Sequence, residues 1–278
     1  LNPTQQAGYI ISGHWAQQAY LEGVREGKTQ ILATSEAINF AALPYWSVLT
    51  TDKNKTENLS YIHYCSNNTL YGTQFQQFTK VPGVPLVVDM SSDLFTRNLD
   101  FTQFDMIYAV AQKNLGAAGV TLVIIKDDFL ERAQSHMPDI LSYKSFARSN
   151  STVNTPPVFS IFASLCMLEW IREQSTKALY QKNSEKAQLL YSYLETSQIF
   201  ELIASKGSRS DTNVCFRLVS RSLHETDEVI AFAAAHGITG IKGHRFIGGF
   251  RVALYNAITK DDVEKLIAVL SMYESQQS

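Results

Sequence analysis

Two apolar runs in this chain each end on a residue that can do chemistry. Leu86-Val87-Val88 leads into Asp89, and Ile107-Tyr108-Ala109-Val110-Ala111-Gln112 leads into Lys113. Short β-branched runs bounded by turn signals read as strands buried on both faces, the kind found in parallel sheets. In open α/β sheets a ligand sits in the crevice outside the carboxyl ends of the strands. A carboxylate and an amine delivered together to that crevice meet the needs of pyridoxal phosphate (PLP) chemistry. The amine forms a Schiff base, and the acid pairs with the pyridinium nitrogen so that the ring can take up electrons. An apolar approach to Lys113 favours the neutral amine that such chemistry requires. Taken singly, Lys113 also reads as a surface lysine, and Asp89 as a turn or N-cap residue in its Asp-x-Ser-Ser setting.

A second dense cluster is Gly243-His244-Arg245-Phe246-Ile247-Gly248-Gly249-Phe250-Arg251. Two guanidinium groups and an imidazole around a diglycine suit recognition of a carboxylate or phosphate. A basic surface hairpin is the plainer reading of the same residues. Gly23 to Thr29 superficially resembles a phosphate-binding P-loop, but only three residues separate its glycines where four are needed, and it follows a helix pattern. A helix end at Gly27 explains it better. The six histidines and three cysteines lack metal-ligand spacing, so no metal is expected. Trp15, at a helix start, is a packing aromatic unless a flat ring lies against it.

These residues need a sheet to position them. Strand patterns fall at 9–11, 61–65, 85–90, 106–111 and 120–125, with a helix over 16–25 whose candidate N-cap lies in Ser12-Gly13-His14-Trp15. Several strands with polar carboxyl ends predict one mixed or parallel sheet of an α/β fold. After the loop 149–157, helix patterns cover 158–172 and 177–194. Strands at 213–218 and 250–254, with helices at 225–235 and 261–273, then make a smaller α/β unit. The expected division is 1–175 for a large domain and 176–278 for a small C-terminal one, since 278 residues exceed one simple core.

A net charge of −2 with interspersed signs argues against nucleic acid or an anionic membrane as partner. No apolar run is long enough to span a bilayer. Leu1 to Gln6 lack the basic start and apolar stretch of a signal peptide. Cys65, Cys166 and Cys215 are odd in number, far apart and in apolar surroundings. They are expected to be inert buried thiols, in a reducing, cytoplasmic setting.

Six segments, in order along the chain, resemble the phosphoserine aminotransferase family, fold-type I PLP enzymes of the class V aminotransferase group. They are Ser12-Gly13-His14-Trp15, Asn67-Asn68-Thr69-Leu70-Tyr71-Gly72, Asp89-Met90-Ser91-Ser92-Asp93, Ala111-Gln112-Lys113-Asn114-Leu115-Gly116 and Asn154-Thr155-Pro156-Pro157, with Lys242-Gly243-His244-Arg245 running through Gly248-Gly249 and Arg251 to Tyr255-Asn256-Ala257. The resemblance implies a mostly parallel central sheet flanked by helices, PLP as cofactor, and a homodimer whose active sites are shared across the interface. It assigns Lys113 the Schiff base and proton transfer, Asp89 the pyridinium nitrogen, Trp15 the ring face and Thr69 the phenolic oxygen. Gln112 goes to the cofactor phosphate, joined by Asn154 and Thr155 of the other subunit. Arg251 takes the substrate α-carboxylate, and His244 and Arg245, again across the dimer, take the substrate phosphate.

The implied reaction is ping-pong transamination between L-glutamate and 3-phosphohydroxypyruvate, with 4-phosphohydroxythreonine as a further substrate pair in pyridoxine biosynthesis. The family's turn often carries Glu where Asn68 stands, a change expected to be harmless. The family's Gly-Gly-Ala-(Ser/Thr) phosphate loop and an upstream His-Arg pair have no counterpart here, so a chain starting at Leu1 is expected to hold PLP weakly. Two rival readings stay open. A desulfurase would need a mobile cysteine in an exposed polar loop, and a non-catalytic dimerisation fragment would need no cofactor.

Overall fold

The computed structural model describes residues 5–134 and 137–277. Residues 1–4, where the signal-peptide pattern was sought, lie outside them. Strands and helices alternate first as β1 (Gln6–Ile11), α1 (His14–Glu26), β2 (Thr29–Thr34), the short α2 (Lys53–Thr56) and β3 (Leu59–Cys65). The hairpin β4 (Asn67–Asn68) and β5 (Thr73–Gln74) follows, then β6 (Leu86–Asp89), β7 (Met106–Val110), the single turn α3 (Ala111–Asn114) and β8 (Thr121–Ile125). Short helices α4 (Asp127–Leu130) and α5 (Tyr143–Arg148) precede the long pair α6 (Val158–Gln174) and α7 (Thr176–Thr196). After them come β9 (Phe200–Leu202), β10 (Asn213–Leu218), α8 (Leu223–Ala235), β11 (Phe250–Ala253) and α9 (Lys260–Ser275).

The main sheet has the order β2-β1-β3-β6-β7-β8. All neighbours pair in parallel except β7 and β8, which are antiparallel. The sheet is therefore mixed and mostly parallel. Alternation along the strands sorts its two faces. Ile10, Ile62, Tyr64, Leu86, Val88, Ile107 and Ala109 share one face and join the first core. Cys65, Asp89 and Tyr108 pair in register on the other, with His63 two residues before Cys65. Because the central strands are parallel, the carboxyl ends of β1, β3, β6 and β7 open onto a single edge.

Two local expectations change. Strand β2 was not foreseen, since Thr-Gln-Ile-Leu-Ala-Thr lacks clean alternation and owes its conformation to pairing with β1 at the sheet edge. Helix α1 is capped by Gly13 with no side-chain cap, because Ser12 turns its hydroxyl toward the Asn68 amide instead.

The second core lies under the antiparallel sheet β11-β10-β9, where Phe200, Phe216 and Phe250 meet Val229, Leu266 and Leu270 of α8 and α9. Helix α6 ends at Ser175, whose positive φ of 60° breaks the helical run and whose hydroxyl caps α7 by accepting from the Ala178 N–H. Leu179 of α7 packs in the first core, whereas Ala187, Leu190 and Leu194 pack in the second. Helix α6 leaves Val158, Phe159, Phe162 and Leu165 exposed. Cys166 on that helix is also exposed, so the expectation of three buried thiols holds for Cys65 and Cys215 alone. Among the described residues no helix is long and apolar enough to cross a membrane.

Leu86 is fully buried at the centre of the sheet. Leu86→Ala is expected to lower stability by about 2–5 kcal/mol through lost burial and a residual cavity, read as a fall in the urea midpoint with unchanged slope.

Candidate active site

Asp89 and Lys113 come together because one serine ties their strand ends. The Asp89 carboxylate accepts from the Ser91 N–H at 2.8 Å, closing the turn after β6. The Ser91 hydroxyl in turn accepts from the Val110 N–H at 3.2 Å, at the point where β7 gives way to α3. Ala111, Asn114 and Leu115 bury the rest of that turn and leave Lys113 half-buried at the sheet edge. Its amine makes no hydrogen bond or ion pair among the described residues and lies 5.9 Å from the centroid of the Trp15 ring. Burial lowers the Lys113 pKa below the ordinary lysine range. The Asp89 and Cys65 groups oppose that shift, and the Arg251 guanidinium adds to it. The result is an amine with an enlarged neutral fraction, in electrostatic reach of both Asp89 and Arg251.

Groups beside and behind Asp89 keep its surroundings dry. The Cys65 thiol lies 3.8 Å from Oδ2, so this cysteine has a carboxylate neighbour and not the purely apolar setting expected. Burial and that carboxylate hold the thiol in its neutral form. His63 Nε2 bonds the Tyr108 hydroxyl at 2.9 Å, while His63 Nδ1 is buried with no partner. Burial pushes the His63 imidazole well below its ordinary pKa, against the pull of Asp89, and fixes it as neutral. The adjoining strap is held by a buried ion pair, Arg97 to Asp93 at 2.8 Å. Asp93 also accepts from Gln74 and from Ser66, the residue after Cys65.

The cationic side of the site comes from the second core. Arg251 projects from β11, and the loop 243–249 folds back on itself through the Gly243 N–H donating to the Gly249 carbonyl at 2.8 Å. A Cβ at Gly243 would collide with the backbone of Gly248, so the fold-back needs glycine there. His244 stands 6.5 Å from His14, whose ring lies 5.0 Å from Trp15. The folded loop seats His244 beside the α1 start of its own chain. Burial lowers the His244 pKa, and Arg251, Arg245 and His14 lower it further. Arg245 is exposed, with its guanidinium 4.9 Å from the Phe246 ring centroid.

The remaining expected residues divide. Thr69 is buried at the end of the β3 edge, and its carbonyl accepts from the Cys215 thiol at 3.6 Å. Asn68 beside it donates to Ser12 and Thr73, so the amide that replaces the family's Glu is fully used. Gln112 is exposed next to Lys113. Asn154 and Thr155 are exposed in the loop before α6 and bond to none of these residues. Sequence reading gave no role to His14, His63, Cys65 or Tyr108. Counting every second residue back from Cys65 would have put His63 on the Asp89 face.

The donor set fits PLP. An unpaired amine, a half-buried carboxylate whose Oδ2 meets only a thiol, and an indole that is 44% exposed beside them leave a place for a flat, cationic ring. Gly13 permits no Cβ against the Asn68 side chain, which brings the α1 start close to the Thr69 turn. Among the described residues no cluster of His, Cys, Asp or Glu is placed to hold a metal ion.

The fold and this acid–amine edge define a PLP-dependent transaminase of class V, and the aminotransferase class-V family model matches residues 11–266. The phosphoserine aminotransferase of Herpetosiphon aurantiacus is 39% identical over 279 residues, covering 100% of this chain and 76% of its own. The chain belongs to the phosphoserine aminotransferase family. The solved phosphoserine aminotransferase of Bacillus circulans subsp. alkalophilus superposes with a TM-score of 0.92 at 36% identity, over 99% of this chain and 75% of that one. A PLP-bound phosphoserine aminotransferase from Trichomonas vaginalis gives 0.89 at 29% identity, over 96% and 76%.

The neutral His63 generates a pH signature. Its unfolded value is near 6.5 and its folded value is lower. Between the two only the unfolded chain takes the proton, so this stability is full above the unfolded value and is lost as pH falls below it. Urea midpoints should drop on acidification, with a slope of up to about 1.4 kcal/mol per pH unit from this group. His63→Gln should flatten that part of the profile.

Proposed function

We propose that the enzyme transfers the amino group of L-glutamate to 3-phosphohydroxypyruvate, giving 2-oxoglutarate and O-phospho-L-serine in serine biosynthesis, by a ping-pong scheme. The observation that carries this reading is the unpaired Lys113 amine, 5.9 Å from the Trp15 ring centroid and in electrostatic reach of Asp89 and Arg251. Bound PLP supplies the sink for the electron pair left when the substrate's α C–H bond breaks. Lys113 would hold the cofactor and take the α-proton of bound substrate. Asp89 would keep the pyridinium nitrogen protonated, Trp15 would lie against the ring, and Thr69 would donate to the phenolic oxygen. Gln112 would hold the cofactor phosphate.

Arg251 binds the α-carboxylate of either substrate in a bidentate way. His244 and Arg245 meet the distal anion, a γ-carboxylate in one half-reaction and a phosphate in the other. The same cations suit 4-phosphohydroxythreonine, a substrate one carbon longer that carries the same two anionic ends, in pyridoxine biosynthesis.

A homodimer completes the proposal. The exposed apolar side chains of α6 form a face of the kind that marks an interface. The loop leading into that helix carries Asn154 and Thr155, which find no partner in their own chain's site and would reach the cofactor phosphate of a second copy. We place the division into large and small domains at about residue 175, where Ser175 breaks the helical run. The free thiols of Cys65, Cys166 and Cys215 support a cytoplasmic setting.

Lys113→Ala should abolish both the visible absorbance of the cofactor-bound enzyme and transamination. Transamination that persists in this variant would remove the assigned role of Lys113. Replacing His244 and Arg245 by alanine should cut kcat/KM for the phosphorylated acceptor by roughly ten- to a hundredfold, as expected from losing charged hydrogen bonds. An unphosphorylated oxo acid of similar length should be affected much less.

A further inference from the structure

Three consecutive backbone carbonyls, at Leu94, Phe95 and Thr96, are each taken by a different buried asparagine. Asn114 donates to Leu94 O at 2.9 Å, Asn256 to Phe95 O at 3.2 Å, and Asn183 to Thr96 O at 2.9 Å. The asparagines also bond one another. The Asn256 N–H donates to Asn114 Oδ1 at 3.2 Å, and Asn183 donates to Asn256 Oδ1 at 2.8 Å. All three are at most 8% exposed. Phe95 has a positive φ of 59°, a conformation unusual for a phenylalanine, in the middle of the strap whose carbonyls they share. Below the cluster, the Lys186 amine donates to the carbonyls of Leu254, Tyr255 and Ile258 and pins the turn that holds Asn256.

Each partner in this cluster adjoins an element of the active site. Asn114 follows Lys113 in α3. The strap 94–96 continues the turn that begins at Asp89. Asn256 lies in the turn after β11, the strand that carries Arg251. Asn183 belongs to α7, which packs in both cores. We propose that Asn114, Asn183 and Asn256 form a clasp that fixes the Lys113 amine and the Arg251 guanidinium in one register relative to Asp89, making them positioning residues for proton transfer at the substrate's α-carbon. An asparagine suits this work because one side chain both donates and accepts, so each link of the clasp passes to the next without an unsatisfied group. The inference rests on the roles proposed above for Lys113 and Arg251.

Asn114→Ala and Asn256→Ala, made singly and together, test it by two measurements. The first is amide hydrogen exchange on the cofactor-free chain. Asn114→Ala is expected to speed exchange in both 94–97 and 254–258, because the clasp couples these segments. Faster exchange confined to 111–116 would overturn the proposal. The second is steady-state kinetics of the PLP-loaded enzyme. Each single change should lower kcat/KM for the amino donor by about tenfold, and the double variant should be little worse than the poorer single one. Effects that multiply, or donor kinetics equal to the parent's, would overturn it.

Should the alanine variants fail to fold, Asn256→Asp keeps the shape and the acceptor for Asn183 but loses the donor to Phe95 O. It should then show the faster exchange at 94–97 and the lower kcat/KM, and parent-like values in both would sink the clasp. Failure of the Lys113 assignment would show separately, as transamination surviving Lys113→Ala, while the exchange measurement still decides whether the segments are coupled.

Discussion

Asp89 ends a central strand, with β3 on one side and β7 on the other, so every group that satisfies it must come from a neighbouring strand end or from its own turn. Ser91 meets that demand with its N–H, which donates to the carboxylate, while its hydroxyl accepts from the Val110 N–H. That second bond places the start of α3, and therefore Lys113, relative to the acid. A parallel sheet makes the arrangement possible, because only parallel neighbours bring consecutive carboxyl ends to one edge. The remaining site groups then arrive by short connections from the same edge, Trp15 after β1 and Thr69 after β3.

The electrostatics follow from how unequally the groups near this edge are exposed. On the sheet face His63, Cys65 and Tyr108 are all held neutral by burial, so Asp89 has no charged neighbour competing for it on that side. On the opposite side, burial lowers the His244 pKa, and the Arg251 and Arg245 guanidinium groups add to that effect. Lys113 lies between the two. Its pKa is lowered by burial and by Arg251 but supported by the carboxylate, which enlarges the neutral fraction of the amine.

Much of this was legible in the residues. The apolar runs before Asp89 and Lys113 marked buried strands, and the polar residues at their ends marked the edge. Strand β10 was read at its observed bounds, as a short and almost wholly buried run. What was not legible depends on tertiary contact. Strand β2 exists through pairing with β1, and Ser12 abandons its helix for Asn68. Cys166 looks like a core residue until α6 is seen to present its apolar side outward. The asparagine clasp joins residues up to 161 positions apart in sequence, which no local pattern encodes.

Helix α7 has a property that neither core has alone. Its first turns bury Leu179 beneath the sheet that carries Asp89 and Lys113, and its later turns bury Leu190 and Leu194 beneath the strands that carry Arg251. A continuous helix resists bending over this length, so a displacement of one core is transmitted along it and not absorbed at a soft joint. The two hydrophobic cores are therefore mechanically in series through one rigid rod.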